Sequence, residues 1–189
     1  MTRRRDWEES LAGVDVEKLI FLDESAVNTA MVRNRGRCPR GERLVDSAPA
    51  GVWQTSTLVA AIGLDGVIAP MVFDSPLNGE LFAQYVESSL VPELEPGAIV
   101  VMDNLPVHKS KRVADAIKAA GCTLVFLPPY SPDYNPIENM WSKVKTILRT
   151  AAARTFQAVV DATGDALRAI TPEDCDGYFR HCGYDALPN

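Results

Sequence analysis

Soft metal ligands, long apolar runs and excess basic charge are all scarce in this chain of 189 residues. Its four cysteines (Cys38, Cys122, Cys175, Cys182) stand at irregular spacing with no CxxC pair. That excludes a disulfide framework or a zinc site and marks them as ordinary thiols. No apolar run approaches the ~20 residues of a membrane span, so no membrane partner is expected. The opening MTRRRDWEES has no apolar core of a secretory signal. Internal repeats and low-complexity tracts are also missing. At 47% hydrophobic and 23% charged residues, the expectation is one cytoplasmic globular domain with a sizeable core.

Basic charge is short overall but unevenly placed. Nineteen basic residues against 25 acidic ones leave a net charge of −6, which excludes a general polybasic grip on nucleic acid. Residues 51–102 hold six acids and no Lys or Arg, whereas residues 103–154 hold eight bases and four acids. Arg33, Arg35, Arg37, Arg40 and Arg43 are opposed locally only by Glu42. Two basic patches on an acidic body suffice to hold a phosphate backbone. Solvated loop arginines give the same pattern.

What is present is a series of short apolar runs alternating with helical patterns. EKLIFLDES (17–25) reads as a buried strand whose C-terminal end lies at Asp23 and Glu24. WQTSTLVAAIGLDGVIAPMVF (53–73) reads as two strands joined at Asp65-Gly66, a hairpin signal. Leu81, Phe82, Tyr85, Leu90 and Leu94 are spaced for one amphipathic helix from Asn78 to Leu94. AIVVMDN (98–104) and TLVFLPP (123–129) are further strands, the first ending in an acid. Between them, KSKRVADAIKAAG (109–121) is a helix with Val113, Ile117 and Ala120 on one face and Gly121 closing it. From Pro136 to about Ile170 the pattern is helical, broken near Ala153 or Gly164. This order implies an α/β layer fold, a mixed sheet covered by helices. Ligands in such sheets sit outside the carboxyl ends of the strands.

Three acids stand out by position: Asp23 and Asp103 at strand ends, and Glu138 at the start of the last helix. Asp23 shares its strand face with Leu19 and Phe21, and Asp103 shares its own with Ile99 and Val101. A carboxylate that continues an apolar face is costly unless a cation or donor meets it. If the two strands are neighbours, both carboxylates converge, and like charges that close need a metal between them. Oxygen-only ligands favour Mg²⁺ or Mn²⁺ over zinc. Two such ions, roughly 3.5–4 Å apart, would activate a water and stabilise the leaving oxygen in phosphodiester cleavage. Simpler roles also fit: a turn residue for Asp23 or Asp103, and a capping residue for Glu138 in Asn135-Pro136-Ile137-Glu138. Glu24 and Asp133 are adjacent acids that fit a carboxylate scheme equally well.

The segment LPPYSPDYNPIENMWSKVK (127–145) places four prolines between Pro128 and Pro136, directly before the helix that carries Glu138. Such a stiff lead-in fixes where the helix N-terminus points. Together with FLDES and VVMDNLPVHKS, this block resembles the three catalytic blocks of bacterial insertion-sequence transposases of the mariner superfamily, the insertion sequence 630 branch. The closing FRHCGY (179–184) is similar to that branch as well, and the resemblance runs from about residue 17 to 184. The 34 residues between Asp103 and Glu138 are similar to the family's interval.

The resemblance implies a ribonuclease H-like mixed sheet flanked by helices, with Asp23, Asp103 and Glu138 as the metal-binding triad for two Mg²⁺ (or Mn²⁺) ions. It implies DNA cleavage and strand transfer by transesterification on double-stranded DNA, both transposon ends and target. His108 and Lys109 are expected to touch phosphate at the site mouth, and Lys143 and Lys145 to line the DNA. Against this, Asn104 and His108 also suit local capping, and the two later lysines suit a solvated helix face. Trp141 is expected to pack the helix onto the sheet. Transposases of this kind carry helix-turn-helix modules before the catalytic domain, and about 22 residues before Asp23 are too few for one. The expected layout is a basic lead-in over 1–16, a catalytic domain over 17–184 and a tail over 185–189. Expected partners are a second copy or an upstream-frame helix-turn-helix protein, in a bacterial cytoplasm and on the nucleoid when DNA-bound. Two alternatives stay open: a metal nuclease without strand transfer, and an inactive remnant that modulates full-length transposase by mixed assembly.

Overall fold

Apolar side chains alternate along the central strand, and that alternation divides the interior into two cores. The computed structural model describes residues 2–184 apart from Ala12 and Asn34. Strand β1 (Leu19–Asn28) pairs antiparallel with β2 (Thr55–Gly63), which pairs antiparallel with β3 (Gly66–Phe73). On its other side β1 runs parallel to β4 (Ile99–Met102), itself parallel to β5 (Thr123–Phe126). The order across the sheet is β3-β2-β1-β4-β5. Six α-helices cover it among the described residues: α1 (Thr2–Ser10), α2 (Gly79–Tyr85), α3 (Lys111–Ala119), α4 (Pro136–Ala151), α5 (Phe156–Arg168) and α6 (Pro172–His181). None is long and apolar enough to cross a membrane. The mixed sheet flanked by helices is the architecture expected from the order of patterns.

Leu19 and Phe21 of β1 face a core shared with Trp7 of α1 and with α4, α5 and α6. Ile20 and Leu22 face the other core, closed by Phe82, Tyr85 and Leu90 from the α2 region and by Val113 and Ile117 of α3. Side chains one apart on a strand point to opposite faces, so Asp23 continues the α4 face and Glu24 the α2/α3 face. The parallel pairing of β1 with β4 ends at Leu22 opposite Met102. Asp23 and Asp103 are therefore the next residues on two neighbouring strands, in register.

The closing segment is held by aromatic packing. Phe179 of α6 and Tyr184 set their rings 5.3 and 5.0 Å from that of Phe21. Such pairs contribute roughly 0.5–1.5 kcal/mol beyond the apolar area they bury. The FRHCGY motif thus serves the core two residues away from Asp23.

Several boundaries depart from expectation. Asp23 is not a strand end, because β1 continues to Asn28 on its β2 side after β4 has stopped. The hairpin turns at Leu64-Asp65, with Gly66 (φ 139°) already paired to Gly63. The helix from Asn78 is α-helical only to Tyr85. It widens over Val86–Leu90 and tightens over Val91–Glu93, where Pro92 has no N–H to continue an α-helical ladder. The helix expected from Lys109 begins at Lys111, after a tight turn over Pro106–Lys109. The long helical stretch breaks at Ala152 in a left-handed conformation (φ 51°), and Thr155 caps α5, which runs through Gly164. The separate α6, opened by a capping box of Thr171 and Asp174, was not anticipated. The lead-in expected over residues 1–16 contributes a helix whose Trp7 is buried in the main core. The tail over 185–189 lies outside the described residues.

Candidate active site

Asp23, Asp103 and Glu138 line one cleft of about 550 Å³ at the edge of the sheet where β4 and β5 end. Asp23 arrives from β1, Asp103 from the residue after β4, and Glu138 from the first turn of α4. Asn135, Lys109 and Tyr130 share the lining. The neighbouring acids are set apart from it. Glu24 points to the opposite face, and Asp133 is turned outward in an ion pair with Arg4.

Each carboxylate has a distinct environment. Asp23 is 7% exposed. One of its oxygens accepts the Glu24 N–H at 2.8 Å and the other accepts Asn135 Nδ2 at 3.2 Å. Burial, reinforced by the negative charges of Glu138, Glu24 and Asp103, pushes its pKa up to about 8, against the Glu24 N–H bond. Asp103 behaves oppositely. Burial works against its charge, but hydrogen bonds from His108 and the Leu105 N–H hold its pKa below the usual carboxylate range.

The start of α4 is not the capping box that Asn135-Pro136-Ile137-Glu138 suggests. Asn135 occupies the N-cap position but makes no side-chain cap bond. Its carboxamide is spent on Asp23 instead, and Glu138 lines the cleft. The proline-rich lead-in is braced from two sides. Tyr184 donates its hydroxyl to the Tyr134 carbonyl at 2.6 Å. The Arg4 guanidinium of α1 lies 4.4 Å above the Tyr134 ring while pairing with Asp133.

His108 corrects the expectation most clearly. Its ring does not reach the site mouth but is fully buried, with Nδ1 2.5 Å from Asp103 and Nε2 2.9 Å from Glu24. Burial opposes its charge, yet the bonds to Asp103 and Glu24 prevail and its pKa rises to about 10. Lys109 is exposed and does line the cleft. Lys143, expected along DNA, pairs with Asp174 at the start of α6. Lys145 lies seven residues beyond Glu138, roughly 10 Å along α4, in a separate groove with Trp53 and Arg149. Asn104 lines the cleft, and Trp141 packs inside as expected, 2% exposed. Arg33, Arg35, Arg37, Arg40 and Arg43 all sit exposed in the loop between β1 and β2.

The donor set fits a hard divalent cation. It consists of carboxylate oxygens, with no cysteine on the lining and the nearest histidine turned away behind Asp103, a choice that suits Mg²⁺ or Mn²⁺. Among the described residues no three His, Cys, Asp or Glu side chains form a ready-made cage. A buried carboxyl with a raised pKa beside two further acids is the pattern that a cation relieves.

A mixed five-stranded sheet with three acids, from β1, the end of β4 and the start of α4, at one edge defines an α/β protein with an acidic cleft whose donors suit a divalent cation. The chain belongs to the DDE superfamily endonuclease family, whose model matches residues 18–160. Over 101 residues it is 34% identical to the Transposable element Tcb2 transposase of Caenorhabditis briggsae, covering 51% of this chain and 37% of that one. The fold is that of the catalytic domain of Mos1 mariner transposase (TM-score 0.68, 16% identity, 96% of this chain and 85% of that chain), a ribonuclease H-like fold. It is also similar to the mariner Mos1 paired-end complex with Mg (TM-score 0.73, 17% identity, 96% of this chain and 57% of that chain). The chain thus spans little more than a third of its curated relative and just over half of the chain in that complex.

Proposed function

We propose that the chain is a transposase catalytic domain that cleaves DNA and transfers the cut strand by metal-dependent transesterification. The observation that carries this reading is the meeting of Asp23, Asp103 and Glu138 in one cleft of a DDE-family chain. These three would hold two Mg²⁺ or Mn²⁺ ions, one shared by Asp23 and Asp103 and the other by Asp23 and Glu138. Bound divalent ions supply activation of a water, later of a DNA 3′-hydroxyl, and stabilisation of the leaving 3′-oxygen. The chain's own side chains bind and orient. Asn135 holds Asp23 from the α4 side, and Lys109 meets phosphate at the mouth. Lys145 meets it further along α4. No covalent link to DNA is expected, because the carboxylate scheme uses no side chain as a nucleophile.

Mos1 structures that contain a transposon end, or Mg or Mn, support the substrate and the ion. We read the chain as a member of the insertion sequence 630 branch, on the strength of LPPYSPDYNPIENMWSKVK and FRHCGY. The domain would run over 17–184 and act in a bacterial cytoplasm. It would pair with a second copy or with a helix-turn-helix protein from an upstream frame. The test is plasmid nicking with Mg²⁺ or Mn²⁺. Asp103→Asn is expected to abolish nicking without unfolding the chain, and retained activity removes the role. Joined products identify strand transfer, and free ends alone identify a nuclease.

A further inference from the structure

We propose that His108 is a positioning residue that fixes which oxygen of Asp103 faces the cleft, with Glu24 locking the imidazole from behind. The inference rests on the metal-site reading above and adds two residues to it. Asp103 Oδ1 takes both the Leu105 N–H at 3.0 Å and His108 Nδ1 at 2.5 Å. Its second oxygen is thereby the one left for the cleft. A carboxylate held at one oxygen presents the other at a set angle, and such supporting bonds tune a ligand's orientation and basicity.

The ring itself has little freedom. Its Nε2 is held by Glu24 at 2.9 Å, and one face rests on Phe82 of α2 with centroids 4.7 Å apart. The side chain is 1% exposed, so water cannot replace either bond. Glu24 is absent from the cleft lining, and strand alternation explains how it takes part without facing the substrate. Asp23 and Glu24, adjacent in sequence, serve opposite faces of β1. One reaches the cleft directly, and the other reaches Asp103 through His108. Two carboxylates and one buried imidazole then form a strut from the α2/α3 core to the cleft.

Mn²⁺ affinity of the isolated chain, read by electron paramagnetic resonance of the free ion, tests this without DNA. His108→Ala is expected to weaken Mn²⁺ binding about 10–100-fold, the usual cost of removing a partner behind a ligand. His108→Asn places an amide donor near the Nδ1 position and His108→Gln near the Nε2 position. Binding by the Asn variant should lie closer to the parent, and binding by the Gln variant closer to Ala. That order distinguishes positioning of Asp103 from mere filling of the buried space. If His108→Ala fails to fold, the comparison of Asn with Gln carries the test. Asp103→Asn separates the two readings. Loss of binding in Asp103→Asn with parental affinity in His108→Ala, or equal weakness of the Asn and Gln variants, overturns the positioning role alone. Parental binding in Asp103→Asn, or no Mn²⁺ uptake by the parent, overturns the metal site and the positioning role with it.

Discussion

The carboxamide of Asn135 donates to Asp23 Oδ2 at 3.2 Å across the cleft, although Asn135 stands at the N-cap position of α4. The residue serves the facing strand and leaves its own helix without a side-chain cap. Asn135→Ala therefore removes a donor from a buried carboxylate and no cap from the helix. Nicking at saturating Mn²⁺ is expected to fall about 10–100-fold, in the range for removing a ligand's supporting bond. Far-ultraviolet circular dichroism should be unchanged. Full nicking activity in Asn135→Ala would show that Asp23 is oriented by other means.

Asp23 also sets a pH dependence. Its pKa rises from about 3.8 to about 8 on folding, chiefly through burial, so the folded chain holds a proton that the unfolded chain has released. The stability tied to this group is fully present below about pH 4 and is lost as the pH climbs towards 8. Asp23→Asn removes that loss. In metal-free buffer the variant should melt above the parent at pH 8, by roughly 2–4 °C for each 1 kcal/mol recovered. The gap should close at pH 4 to 5. Thermal melts across this range check it, and equal slopes for both proteins would contradict the raised pKa.

The bond from Tyr184 to the Tyr134 carbonyl, at 2.6 Å, ties the end of the described chain to the residue before Asn135. Tyr184→Phe keeps the ring against Phe21 and deletes only the hydroxyl. The expected cost is about 1 kcal/mol, that of one internal hydrogen bond. Phe179→Ala empties a fully buried site and should cost about 3–5 kcal/mol. Denaturant unfolding separates the two, and a Tyr184→Phe variant as damaged as Phe179→Ala would mean that the hydroxyl organises far more than one bond.

These relationships show where sequence was informative and where it was not. Alternation in EKLIFLDES and AIVVMDN assigned the faces of Asp23 and Asp103. The order of elements left open whether β1 and β4 are neighbours, and their parallel pairing in register is a property of the folded sheet. The four prolines before Glu138 announced a rigid approach to α4. Asn135 was misread because Asn-Pro-Ile-Glu has the same local grammar whether its amide caps the helix or crosses to a strand. Only the position of Asp23, distant in sequence, decides between them. His108 carried no local signal, since a lone histidine after a strand looks alike at a mouth and behind a carboxylate. What distinguishes the two is Glu24, 84 residues away. The missed α6 has the same origin, for its capping box is local but its purpose is the packing of Phe179 on Phe21.

Lysines at the two ends of this surface should separate DNA contact from scaffold. Lys109 is exposed on the cleft lining. Lys143 is half-buried and paired with Asp174, which also closes the capping box of α6. A lysine that meets a phosphate releases a counterion on binding, so losing it lowers the salt slope of DNA affinity by about 1. Lys109→Ala should show that drop together with weaker binding at every sequence tested. Lys143→Ala should leave the slope alone and lower stability by up to about 1 kcal/mol, as for partly exposed ion pairs. Fluorescence anisotropy with duplex DNA over a salt series measures the first effect, and denaturant melts measure the second. A changed slope in Lys143→Ala would add Lys143, beside Asp174, to the phosphate contacts of α4. An unchanged slope in Lys109→Ala would move the phosphate contacts away from the mouth of the cleft, towards Lys145 and Arg149.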